Sequence, residues 1–204
     1  MNTDAVLAHL ERDEPAAINR LIDWLRIPSI STDPNYKPEC RRAAEWCAAH
    51  LRESGIDAKL VETGAVKDNV GSGHPIVLAY SEGSPDYKGP HVLFYGHYDV
   101  QPPDPLNLWE SPPFEPVVKE ASSGKDGPGK RIVARGSVDD KGQVAMFLEA
   151  MRAWKTVGNL VAGGVKFTIM IEGEEESSSI NPVSYTHLRA HETKANLVCR
   201  LLLE

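Results

Sequence analysis

Phe94-Tyr95-Gly96-His97-Tyr98-Asp99-Val100 closes an apolar run, His91-Val92-Leu93-Phe94, and this junction decides how the rest of the chain is read. A short continuous apolar run ending at a glycine reads as a buried strand. In an open α/β sheet, chemistry gathers in the crevice beyond the carboxyl ends of the strands. His97 and Asp99 are two residues apart, so on an extended chain they point to the same side. Asp99 can accept the second ring N–H of His97 and leave the other nitrogen for a metal. The plainer alternative is a strand-end histidine in an ordinary polar contact, and this stretch alone leaves both open.

Two later stretches repeat the pattern. Arg131-Ile132-Val133-Ala134-Arg135 runs into Gly136-Ser137-Val138-Asp139-Asp140-Lys141-Gly142, with a helix-like segment after it. Val165-Lys166-Phe167-Thr168-Ile169-Met170-Ile171 is another buried-strand candidate, ending in Glu172-Gly173-Glu174-Glu175-Glu176. A run of glutamates is usually a solvated face. Here it is joined to a core strand, and a dication would ease its repulsion.

Composition narrows the function classes. The chain has 204 residues, 41% hydrophobic and 25% charged, with a net charge of −7. Those are the proportions of a globular protein, and without a basic stripe nucleic acid is not an expected partner. No apolar run is long enough to span a bilayer and no leader pattern opens the chain, so the cytoplasm is the expected compartment. Cys40, Cys47 and Cys199 are an odd set without CxxC spacing, which points away from disulfides and thiolate zinc. GxxxxGK[ST] is absent around Gly136 and Lys141, and no GxSxG elbow occurs, so nucleotide binding and serine hydrolysis are not indicated.

Around these motifs, helices and strands alternate, which marks an α/β fold. Helical spacing covers Thr3 to Leu25, with Pro15 either breaking the helix or starting a second one. An amphipathic helix is expected over Glu39–Ser54, stopped by Gly55, and a largely buried one over Gly142–Val157. Further strands are read at Ile56–Val61 and Ile76–Tyr80. A hairpin is read from Val117-Val118-Lys119 to Ile132-Val133-Ala134, around a tip at Ser122–Lys130. The proline-rich stretch Gln101-Pro102-Pro103-Asp104-Pro105 would pre-order a loop beside the candidate site.

Together, Gly96-His97-Tyr98-Asp99-Val100-Gln101-Pro102, Arg135-Gly136-Ser137-Val138-Asp139-Asp140-Lys141-Gly142 and Glu172-Gly173-Glu174-Glu175-Glu176-Ser177 resemble the co-catalytic zinc exopeptidases and deacylases. That family includes carnosinase-like dipeptidases, aminoacylases, acetylornithine deacetylase and succinyl-diaminopimelate desuccinylase. The Asp-Asp-Lys-Gly and Asp-Val-Gln-Pro forms and the Trp109…Pro113-Phe114 segment are most similar to the dipeptidase branch. The resemblance implies a mixed, mostly parallel sheet flanked by helices, with residues 1–182 forming the N-terminal part of the catalytic domain. It implies that His97 ligates one metal with Asp99 orienting it, Asp139 bridges two ions, Glu176 ligates the second, and Glu175 is the general base. It also implies two Zn²⁺ ions, with Mn²⁺ or Co²⁺ able to serve, and a cis peptide after Asp139. The implied substrate is a dipeptide or N-acyl amino acid, and a homodimer through a second, inserted domain is compatible with it. A module that keeps the fold for binding without turnover is the rival, and the presence of both Glu175 and Glu176 speaks against it.

Two departures qualify the match. Many relatives carry glycine where this chain has Ser178. The family's further carboxylate and distal histidine ligands, and its inserted domain, have no counterpart here, so this chain is expected to be an inactive fragment. Past Asn181 the resemblance ends. Val183 to Thr193 back-translates onto a transposase adaptor used in short-read sequencing, and Asn196 to Glu204 onto the flow-cell adaptor that follows it. Residues 183–204 are therefore expected to be a non-native tail, and His187 and His191 receive no role.

Overall fold

The computed structural model describes residues 3–63, 73–121 and 129–183. The hairpin tip at 122–128, His187, His191 and Cys199 lie outside the described residues.

Helix α1 (Thr3–Leu25) runs through Pro15 without ending. The ring removes one helical hydrogen bond, but α1 is held along its length by packing on a later helix, and Arg20 bridges Asp13 and Glu149 there. Helix α2 (Lys37–Glu53) buries one face, Cys40, Ala43, Ala44, Cys47, Ala48 and Leu51. Its small residues let the helix lie close to the sheet. Cys40 and Cys47 are both buried free thiols, and burial pushes the Cys40 thiol up to about 12.

Strands β1 (Asp57–Val61), β2 (Ile76–Glu82), β3 (Val92–His97) and β6 (Lys166–Glu172) form one sheet in the order β1-β2-β6-β3. Strands β4 (Val117–Ala121) and β5 (Gly129–Val133) form the expected hairpin. The fold is thus α/β with a mixed sheet flanked by helices. The expectation of a mostly parallel sheet needs correction among the described residues: β1–β2 and β2–β6 are antiparallel, and only β3–β6 is parallel. Apolar content reports burial of a strand, not its direction, so the sequence held no signal for this.

Alternation along each strand gives the sheet two unlike faces. Ala58, Val77, Ala79, Ile169 and Ile171 are buried on one face, against α2 and helix α3 (Lys141–Gly158). Phe94 stacks on Phe147 of α3 with ring centroids 3.7 Å apart. α3 is one-sided rather than buried around its circumference, since Met146 is 68% exposed. On the opposite face Leu78, Leu93 and Met170 are only partly covered, and Tyr80 and Tyr95 are exposed. Among the described residues no helix is long and apolar enough to cross a membrane.

Candidate metal centre

The parallel β3–β6 pair is what assembles the site. Its register sets His97 beside Glu172, so both strands deliver their loops at one sheet end. Gly96 lets β3 approach the start of α3: a Cβ there would lie 2.7 Å from Val144 Cγ2 and 2.8 Å from Asp140 Oδ2. That approach brings the Asp139–Asp140 segment against His97, whose backbone N–H donates to Asp140 Oδ2 at 3.1 Å. The Asp139–Asp140 peptide is cis.

His97 is buried, with Nδ1 3.3 Å from Asp99 Oδ1 and 3.1 Å from the Asp99 carbonyl oxygen. Those acceptors hold a proton on Nδ1, and Nε2 faces outward. Nε2 lies 3.0 Å from Asp139 Oδ1 and 3.9 Å from Glu175 Oε2. Burial pulls the His97 pKa down, but the hydrogen bond to Asp99 and the charges of Asp99, Asp140 and Glu175 outweigh it and push it up to about 9. Burial likewise raises the carboxyls of Asp140 and Glu176 above their ordinary range.

Asp99 is fully buried and serves more than His97. Its Oδ1 accepts the Glu175 N–H at 3.3 Å, and its Oδ2 accepts the Glu176 N–H at 3.0 Å and the Ser31 hydroxyl at 2.6 Å. The glutamate turn Glu175–Ser177 is thereby hung on the same carboxylate that orients the histidine. Glu176 faces a different neighbour, accepting Gln101 Nε2 at 2.5 Å. Glu174 is not a solvated acid: it is buried and accepts the N–H of His74 and both the N–H and side-chain amide of Asn181.

The structure therefore brings His97, Asp99, Asp139 and Glu175 together, with Glu176 on the same turn but engaged by Gln101. Among the described residues, no group of three or more His, Cys, Asp or Glu side chains converges closely enough to hold a metal ion. The donor chemistry nonetheless suits a divalent cation on one side, because a tautomer-fixed imidazole nitrogen and carboxylates share one rim.

Ser31 belongs to no motif and reaches the site from a connector 68 positions before Asp99, while Gln101, inside the first motif, reaches across to Glu176. Lys141 is fully buried, donating to the carbonyls of Trp24 and Ile27 at 3.2 and 2.7 Å, so it anchors the α1 connector rather than any phosphate. Burial draws its pKa down to about 7.

The chain is 29% identical over 181 residues to the Cys-Gly metallodipeptidase of Saccharomyces cerevisiae, covering 86% of this chain and 35% of that protein. It is 30% identical to the human Beta-Ala-His dipeptidase over 87% of this chain and 33% of that protein. Succinyl-diaminopimelate desuccinylase of Methylocella silvestris is 30% identical over 81% of this chain and 36% of its own length. The chain thus spans about a third of the length of these curated relatives. Among solved structures, the yeast dipeptidase Dug1p superposes with a TM-score of 0.76 at 28% identity, over 93% of this chain and 38% of that one. A metallo-carboxypeptidase of Sulfolobus solfataricus gives 0.64 at 30% identity, over 87% of this chain and 35% of that one. The sequence profile of peptidase family M20/M25/M40 matches residues 93–199, a span that starts in β3, takes in all three strand-end motifs and runs on past Pro182. With that match over more than half its length, the chain belongs to peptidase family M20/M25/M40.

Proposed function

We propose that the full-length protein to which this chain belongs hydrolyses a peptide or amide bond in dipeptides or N-acyl amino acids, using zinc. The observation that carries the reading is His97 Nε2 facing Asp139 at 3.0 Å and Glu175 at 3.9 Å, with Asp99 behind the ring. His97 and Asp139 would hold one ion, and Asp139 with Glu176 a second; Mn²⁺ or Co²⁺ suits the same donors. Bound there, the metal supplies polarisation of the scissile carbonyl and acidifies a water.

The chain's own groups do the rest. Asp99 fixes the ring and the turn that carries Glu175. Glu175, with a half-exposed side chain at the rim, receives the proton of the attacking water on a carboxylate oxygen and delivers it to the leaving amine nitrogen. Each ion would have two protein ligands within this chain, where catalytic zinc sites use three, so the 204-residue chain by itself is inactive. We further assign residues 1–182 to the N-terminal part of the catalytic domain and 183–204 to an adaptor-derived tail, and place the protein in the cytoplasm. Genomic sequence across the Pro182 codon tests the tail directly, and coding sequence continuing through Val183–Glu204 would overturn that assignment.

The activity test is zinc-dependent hydrolysis of a dipeptide panel by the full-length gene product. Glu175→Gln should lower kcat by about 10²–10⁴-fold while leaving substrate binding in place. Turnover indifferent to Glu175→Gln would overturn the assigned base. Substrate binding with no turnover in the wild type would make the protein a binding module.

A further inference from the structure

We infer that Ser31 is a positioning residue of the metal centre, acting through Asp99 on His97, Glu175 and Glu176 together. The inference rests on the metal-centre reading above and adds to it a residue outside every strand-end motif.

A carboxylate offers about four acceptor directions. Four donors face the Asp99 carboxylate: the Glu175 N–H bonds Oδ1, the Glu176 N–H and the Ser31 hydroxyl bond Oδ2, and His97 Nδ1, bonded to the Asp99 carbonyl, lies 3.3 Å from Oδ1. Asp99 is 0% exposed, so in the folded chain its oxygens are met by protein donors. The Ser31 bond is the shortest of the four at 2.6 Å, and it is the one that comes from outside the sheet's strand-end loops.

Ser31 is itself held on two sides. Ile30 bridges Val100 in parallel, the Val100 N–H donates to the Ser29 carbonyl at 2.9 Å, and the Ser29 hydroxyl donates to the Tyr98 carbonyl at 2.6 Å. From the other side, His74 Nε2 lies 3.2 Å from the Ser31 carbonyl. The hydroxyl is thus delivered to Asp99 by a connector already stitched alongside the end of β3. Without it, Oδ2 loses its shortest protein donor, and the carboxylate is free to turn toward its remaining donors. The imidazole and the glutamate turn hang on that same group and would move with it. A neutral donor suits the place, because it satisfies the carboxylate without adding a charge that would compete with a cation at His97.

The test uses the full chain at low micromolar concentration, with zinc affinity read by competition against a chromophoric chelator and amide hydrogen exchange followed at single residues. Ser31→Ala should weaken zinc binding about tenfold and raise exchange at the Glu175 and Glu176 amides, leaving β6 amides such as Ile169 unchanged. Ser31→Thr, which keeps the hydroxyl, should restore both. Wild-type affinity and wild-type exchange in Ser31→Ala would overturn the inference, as would loosening spread evenly over the sheet. Should Ser31→Ala fail to fold, Ser31→Cys carries the same test, its weak S–H donor predicting weaker binding and wild-type affinity refuting it. Asp139→Ala run in parallel separates the two readings. If it also leaves zinc affinity unchanged, the metal centre itself is wrong. If it abolishes binding while Ser31→Ala does not weaken it, only the role of Ser31 is wrong.

Discussion

At His97, protons and metal compete for one nitrogen. The ring's pKa is pushed up to about 9 by Asp99, Asp140 and Glu175 against the pull of burial, so the metal-free chain holds a proton there at neutral pH. A metal must displace that proton. Apparent zinc affinity should rise about tenfold per pH unit up to roughly pH 9 and then level off. Titration calorimetry in buffers of different ionisation enthalpy reads the released proton, and a flat affinity over that range would contradict the assignment. In the metal-free fold the imidazolium contributes stability that is fully present below the ordinary value of 6.5 and is lost as pH rises through about 9. A second residue-scale prediction concerns Ser178, held at φ +79 in the left-handed region. Ser178→Gly should stabilise the chain by about 1 kcal/mol, since a side chain in the left-handed region is strained, as read by urea denaturation. The His97-x-Asp99 pair was legible because both residues sit on one extended stretch. Ser31 was not, because its partner lies 68 positions away and only the folded chain joins them.

Among the elements, the seam between β3 and α3 carries the site. Gly96 permits it, Phe94 and Phe147 fill it, and Asp140 ties it to the His97 backbone. Gly96→Ala should therefore destabilise the fold by about 1–3 kcal/mol through overpacking and weaken metal binding at the same time, because Val144 and Asp140 must both give way. A stable variant with unchanged zinc affinity would show that the seam is looser than its distances imply. Apolar runs placed all four sheet strands to within a few residues, since burial leaves a direct mark on composition. Direction of pairing left no such mark, and neither did the continuity of α1 through Pro15. That continuity depends on the Arg20–Glu149 bridge and on packing against α3, contacts between parts of the chain more than a hundred residues apart.

Taken whole, the sheet is finished on one side only. Helices cover Val77, Ala79, Ile169 and Ile171, while Tyr80 and Tyr95 are exposed on the other face beside half-buried Leu78, Leu93 and Met170. Among the described residues β3 also pairs on a single side, leaving an open edge. An apolar face next to an unpaired edge is a template for association, and relatives of which the match spans about a third have ample further chain to cover such a face. The 204-residue chain should therefore self-associate at tens of micromolar, and charged residues on the open face, Leu93→Lys with Met170→Glu, should suppress this without unfolding the helical side. Size-exclusion chromatography with light scattering reads the effect. The same preparations give the functional comparison: zinc-dependent dipeptide hydrolysis should be at or near background in the 204-residue chain, monomeric or not, and substantial in the full-length gene product. A monomeric wild-type chain that hydrolyses dipeptides as fast as the longer protein, and loses this on Glu175→Gln, would mean that His97, Asp139 and the glutamate turn suffice for catalysis without any further ligand.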